Sequence, residues 1–174
     1  GAFEKRKVCV LKLVVMVMTA LGAGACVGST QADDKFVSPR ADAIVKSEAE
    51  WRQQLTPEQF RILRGKGTER AFTGKYWNSK AKGTYHCGGC GLDVFSSAHK
   101  FRSGTGWPSF YKAITDDAVG RAVDGSLGVS RTEIVCNRCG GHLGHVFPDG
   151  PPPTGERYCV NGNALDFTPR GGKP

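Results

Sequence analysis

Two C-x-x-C pairs, Cys87/Cys90 and Cys136/Cys139, restrict this 174-residue chain more than any other feature. Each puts two thiols on one tight turn, and two such turns supply the four thiolates of a closed tetrahedral zinc site. Gly88 and Gly89 in the first pair allow backbone N–H groups to approach the sulfurs. The 45 residues between Cys90 and Cys136 exceed the spacing of a small zinc ribbon, so a metal here staples distant parts of one domain. Four thiolates leave no open coordination position, which makes the site structural. The same spacing also reads as two disulfides or a redox-active C-x-x-C, which an oxidising compartment permits.

The rest of the chain fits around that clamp as a mainly β domain. The 24 glycines and 9 prolines favour many turns and short strands. Short runs at 84–87, 92–95 and 132–135, rich in β-branched and aromatic residues, read as strands. No alternation of strands with helices is present, so the sheets are expected to be antiparallel. Helical signals are confined to the region before them. Ser47-Glu48-Ala49-Glu50 forms a capping box leading into Trp51. Thr56-Pro57-Glu58-Gln59 forms a second, with proline at the first helical position, and Gly65 and Gly67 close that helix.

Residues 1–25 have the form of a secretory leader: Lys5-Arg6-Lys7, an apolar run, then small residues ending at Ala25. Cleavage after Ala25 or Ala32, lipidation at Cys26, and an uncleaved membrane anchor are the alternatives, and export is expected. Residues 26–46 read as a linker and 47–170 as the folded domain. The formal charge is +8; without Lys5, Arg6, Lys7, Lys12 and Glu4 it becomes 20 cations against 15 acids, or +5. No dense basic stripe with interleaved aromatics accompanies that excess, so no nucleic-acid partner is expected.

Cys159 has no cysteine partner at metal-ligand spacing. Arg157, two residues before it, favours the thiolate, the reactive form. His142 and His145 are suited to proton transfer near neutral pH. Asn161 alternates with Cys159 along a strand and would share its face. The plainer reading makes Cys159 a small buried hydrophobe and the histidines supports or ligands of the metal. Trp107, in a glycine-rich loop, offers a flat wall for a methyl or thioether group; alternatively it and Phe110 are core.

Taken together, S-G-T-G-W-P-S-F, R-T-E-I-V-C-x-x-C, H-L-G-H-V-F-P-D-G-P and T-G-E-R-Y-C-V-N resemble the methionine-R-sulfoxide reductases of the B type, over about Leu55 to Phe167. The resemblance implies two antiparallel sheets in a tent-like arrangement, short N-terminal helices and a structural zinc held by Cys87, Cys90, Cys136 and Cys139. It implies that Cys159 attacks the sulfoxide sulfur and becomes a sulfenic acid. His142, His145 and Asn161 complete the catalytic group, and Trp107, Arg157 and Phe110 contact the substrate. The implied partners are oxidised proteins or peptides and a thioredoxin-like, glutaredoxin-like or small-thiol reductant, acting on a monomer. One departure matters: many members carry a resolving cysteine where this chain has Thr105. Cys26 or Cys9, an external thiol, or thioredoxin acting directly must then regenerate the enzyme, and an external thiol ranks first. A zinc-ribbon interaction module with Cys159 buried is the rival.

Overall fold

The computed structural model describes residues 36–126 and 128–171. The leader at 1–25, Cys9 and Cys26 lie outside them. Both capping boxes form as expected. Ser47 caps α1 (Glu48–Gln54) by accepting from the Glu50 N–H, while the Glu50 carboxylate accepts from the Ser47 N–H at 2.7 Å. Thr56 and Gln59 repeat the exchange at α2 (Pro57–Leu63). Each cap contributes about 1 kcal/mol, which matters for helices only 7 residues long because such short helices do not persist alone. They are held by burying Trp51, Ile62 and Leu63 and by two polar ties to the cysteine turns. Gln54 donates to the Gly89 carbonyl (2.6 Å), and Arg64 to the Cys139 carbonyl (3.1 Å).

Among the described residues nine strands follow: β1 (Gly83–Cys87), β2 (Asp93–Ser96), β3 (Lys100–Phe101), β4 (Ser109–Phe110), β5 (Val119–Asp124), β6 (Arg131–Cys136), β7 (His142–Phe147), β8 (Arg157–Val160) and β9 (Leu165–Pro169). They form two antiparallel sheets, one ordered β2-β1-β9 and one ordered β3-β4-β8-β7-β6-β5. The fold is the expected one. Aromatic rings join the sheets: Phe95 of β2 stacks on Phe110 of β4 at 4.4 Å, and Tyr85 of β1 meets Phe110 edge-on at 5.1 Å. Among the described residues no helix is long and apolar enough to cross a membrane.

The linker expected at 26–46 is corrected in its described part. Residues 36–46 lie against the second cysteine turn: Ser38 donates to the Asn137 carbonyl, and the Ile44 N–H donates to the Arg138 carbonyl at 2.8 Å. Asp42 pairs with Arg138 at 3.2 Å. A segment with this many fixed backbone partners belongs to the domain.

Candidate active site and metal centre

The cysteine turns are built alike. β1 ends at Cys87 and β6 at Cys136, and each turn closes on a glycine just past its second cysteine, where φ is positive. Gly91 (φ 75°) donates to the Cys87 carbonyl and Gly140 (φ 68°) to the Cys136 carbonyl, both at 2.8 Å. The left-handed backbone that glycine permits is therefore needed after the pair, whereas Gly88 and Gly89 have negative φ. The four sulfurs lie within 4.8 Å of one another, with Cys87–Cys139 at 3.7 Å and Cys90–Cys136 at 3.5 Å. A disulfide requires about 2.05 Å. A tetrahedron with metal–sulfur bonds of about 2.3 Å has edges of about 3.8 Å. The set fits a metal ion and contains no disulfide.

The second turn connects β6 to β7, so the clamp closes the hairpin that carries much of the candidate site. Register defines that site. One row of paired residues crosses all six strands: Phe101, Ser109, Cys159, His145, Glu133 and Ala122. Directly paired residues share a sheet face, so Cys159, His145 and Glu133 project to the same side. His142 joins them through a β-bulge. Gly144 pairs with Ile134 but His142 pairs with Val135, leaving Leu143 as the extra residue. On a regular strand, residues three apart point to opposite faces. Here the rings of His142 and His145 stand 5.4 Å apart. The next strand runs so close at Gly144 that a Cβ there would lie 2.0 Å from the Cys159 carbonyl oxygen.

Each histidine is held by a carboxylate. His142 Nδ1 lies 2.7 Å from Glu133, which also binds Lys66 at 2.8 Å. Burial would raise the Glu133 carboxyl, but His142 and Lys66 outweigh it and hold the group ionised below its ordinary value. The Nδ1–H of His142 therefore donates to Glu133. Its Nε2 is buried with no partner among the described residues, a costly arrangement unless a ligand supplies one. His145 Nε2 lies 2.7 Å from Asp124, which Arg131 also holds, at 2.6 Å. Burial lowers the His145 pKa despite Asp124.

Arg157 is occupied by Asp149 through two bonds of 2.9 Å. The thiol of Cys159 differs from expectation. Burial pushes its pKa up, and the opposing pull of Arg157 and the Thr105 hydroxyl does not overcome that. At rest it is a protonated thiol. Its alkylation should therefore keep accelerating with pH beyond about 9, past the ordinary thiol inflection. A plateau reached near neutral pH, measured by mass spectrometry of the Cys159 peptide, would show the guanidinium dominating.

The remaining expected residues divide. Asn161 is buried, donating to the Leu143 carbonyl (3.2 Å) and accepting from the Glu69 N–H (3.0 Å), so it braces the bulge and has no free amide end for substrate. Trp107 is partly buried, its Nε1–H donating to the Glu69 carbonyl at 3.1 Å. Phe110 is corrected: it is fully buried, paired with Tyr158 one residue out of the Cys159 row, and so faces the core. Glu133, Asp124, Asp149 and Glu69 were missed as site residues. Glu133 alone had a signal, a carboxylate inside the apolar strand run Thr132–Val135. Glu69 has four bonds here; besides those to Asn161 and Trp107, its carboxylate accepts from the Gly162 and Asn163 N–H groups (2.6 and 2.8 Å).

Fold and site together define a two-sheet β protein with a four-cysteine metal clamp and a single thiol beside two carboxylate-held histidines. The SelR domain family matches residues 55–169. The chain is 59% identical over 125 residues to the peptide methionine sulfoxide reductase MsrB of Thiobacillus denitrificans, covering 72% of this chain and 95% of that one. It is 58% identical over 134 residues to the MsrB of Agrobacterium fabrum, covering 77% and 97%, and 57% identical over 125 residues to that of Methanosarcina barkeri, covering 72% and 88%. The chain belongs to the MsrB family of peptide methionine sulfoxide reductases.

Proposed function

We propose that this protein reduces methionine R-sulfoxide, free or in polypeptides, to methionine, with Cys159 as the nucleophile. The observation that carries the reading is the cross-strand row that places Cys159 beside His145, with His142 brought to the same face by the bulge. Trp107 receives the substrate methyl, and the histidines receive the sulfoxide oxygen. The unpartnered Nε2 of His142 is suited to exchange a proton with that oxygen, because Glu133 fixes the ring at its other nitrogen and leaves Nε2 turned to the site. A protonated oxygen departs more readily than a bare one, so protonation there makes the substrate sulfur a better electrophile. Arg157, oriented by Asp149, stabilises negative charge as it develops on the Cys159 sulfur.

In the step proposed, the Cys159 sulfur attacks the substrate sulfur and the substrate S–O bond breaks. The departed oxygen, as water, then bonds to the cysteine sulfur and the transient S–S bond breaks, so that the cysteine ends as S–OH carrying the proton of the original thiol and methionine leaves. The substrate sulfur is reduced by two electrons and the cysteine oxidised by two, to the reversible sulfenic level. Two equivalents of external thiol restore the enzyme, giving the free thiol, one disulfide of the donor and water. Thr105 beside the thiol offers no sulfur for an internal disulfide, which supports direct attack by the donor. Zinc is the metal that best suits four thiolates at this spacing, and it holds the fold without entering the reaction.

MsrB enzymes as a group restore one of the two sulfoxide epimers. Incubation with each purified epimer of a methionine sulfoxide peptide and dithiothreitol tests the proposal. Only the R epimer should be consumed; loss of the S epimer, or of neither in metal-loaded protein, refutes it.

A further inference from the structure

A cleft of about 630 Å³ opens between the loop around 72–81 and residues 97–107. It reaches Trp107 and contains neither Cys159 nor the histidines. Phe101, in its wall, belongs to the same cross-strand row as Cys159 and lies two strands away. At the usual strand spacing their backbones are about 10 Å apart, the distance of about three residues of extended polypeptide.

The lining has a consistent chemistry. Phe72, Trp77 and Phe101 supply aromatic surface. Phe72 is 53% exposed and held at φ 67°, a conformation costly for a non-glycine residue, by its N–H bond to the Gly106 carbonyl. A large apolar ring kept in solvent by a strained backbone is the kind of feature a bound ligand accounts for. The charged lining residues are Lys80, Lys100 and Arg102, with no Asp or Glu among them. None of the three has a carboxylate partner among the described residues. Lys100 is also half-buried, its ammonium spent on the Trp77 carbonyl at 3.3 Å, and burial lowers its pKa. An unpaired, partly desolvated cation is stabilised by an incoming anion.

We propose that this cleft receives the polypeptide flanking the oxidised methionine and selects flanks that carry carboxylate side chains beside apolar ones. The proposal rests on the reductase reading and adds the class of protein segment that is repaired best: acidic, aromatic-containing and extended.

Two peptides with one central methionine R-sulfoxide, flanked by Asp-Phe or by Lys-Phe, test it. The acidic peptide should have a kcat/KM about tenfold higher, and about 0.5 M salt should bring the ratio towards one by screening. The double variant Lys80→Glu, Arg102→Glu should invert the ratio. Titration of tryptophan fluorescence with the reduced forms of both peptides reads binding without turnover, and the acidic one should again bind about tenfold tighter. Equal affinities and equal kcat/KM for the two peptides would overturn the proposal. If neither peptide nor free methionine R-sulfoxide is consumed, the reductase reading fails separately, and the titration alone decides the cleft.

Discussion

Replacing Cys159 by serine should reduce consumption of methionine R-sulfoxide by about 10⁴-fold or more, the scale on which loss of an enzyme nucleophile is felt. The hydroxyl is nearly the size of the thiol but far less nucleophilic, and nothing around it makes up the difference. Each neighbouring group is bound elsewhere: His145 to Asp124, His142 to Glu133, and Arg157 to Asp149. The neighbours of Cys159 are held by their own partners, so the variant should keep its fold, with stability changed by less than about 1 kcal/mol. Dithiothreitol-coupled turnover checks the first expectation and thermal unfolding the second. Trapping with a sulfenic-acid reagent after one turnover should label Cys159 in the wild type. Full activity in the serine variant would move the chemistry to another group.

Removing the metal should have the largest effect on stability. Four thiolates organised by a bound ion represent on the order of 10 kcal/mol of apparent binding free energy at neutral pH, comparable with the whole stability of a domain this size. Strong chelator, or Cys139→Ser, should therefore abolish the cooperative thermal transition and the near-ultraviolet signal of the buried aromatics. Metal analysis of the untreated protein should give one ion per chain. Both sheets depend on the clamp, because Cys87 ends β1 of the smaller sheet and Cys136 ends β6 of the larger. Activity should disappear together with the fold, although no reaction step uses the ion. A chelated protein with an unchanged melting profile would show the cysteines packing as a metal-free cluster.

The sequence exposes local chemistry more fully than pairing. Ser47, Thr56 and Pro57 mark the helix starts because a cap is decided within four residues. The two C-x-x-C units reveal the clamp because a ligand set is defined by its own atoms. Phe110 shows the limit: whether it faces core or substrate depends on its register with Tyr158 and Cys159, which is set about 50 residues later in the chain. Asp124 and Glu69 are equally silent, since surface acids are common and only the folded sheet brings them to His145 and Asn161. The protonation of Cys159 is hidden in the sequence for a related reason. Sequence shows Arg157 nearby but neither the burial of the thiol nor the Asp149 carboxylate that already occupies the guanidinium.

The bulged residue Leu143 has a consequence for anyone moving this site elsewhere. The motif H-x-x-H describes a helix turn well and a strand badly, and a regular hairpin given the same two histidines would present one of them to the wrong side. What must be transplanted is the odd residue, together with the close approach at Gly144 and the Asn161 amide that fastens it. By the same geometry, deleting one residue between His142 and His145 would not merely shorten a strand. It would turn the motif into H-x-H, whose two side chains a regular strand keeps on one face, so the bulge would be lost and the pairing of the two rings retained.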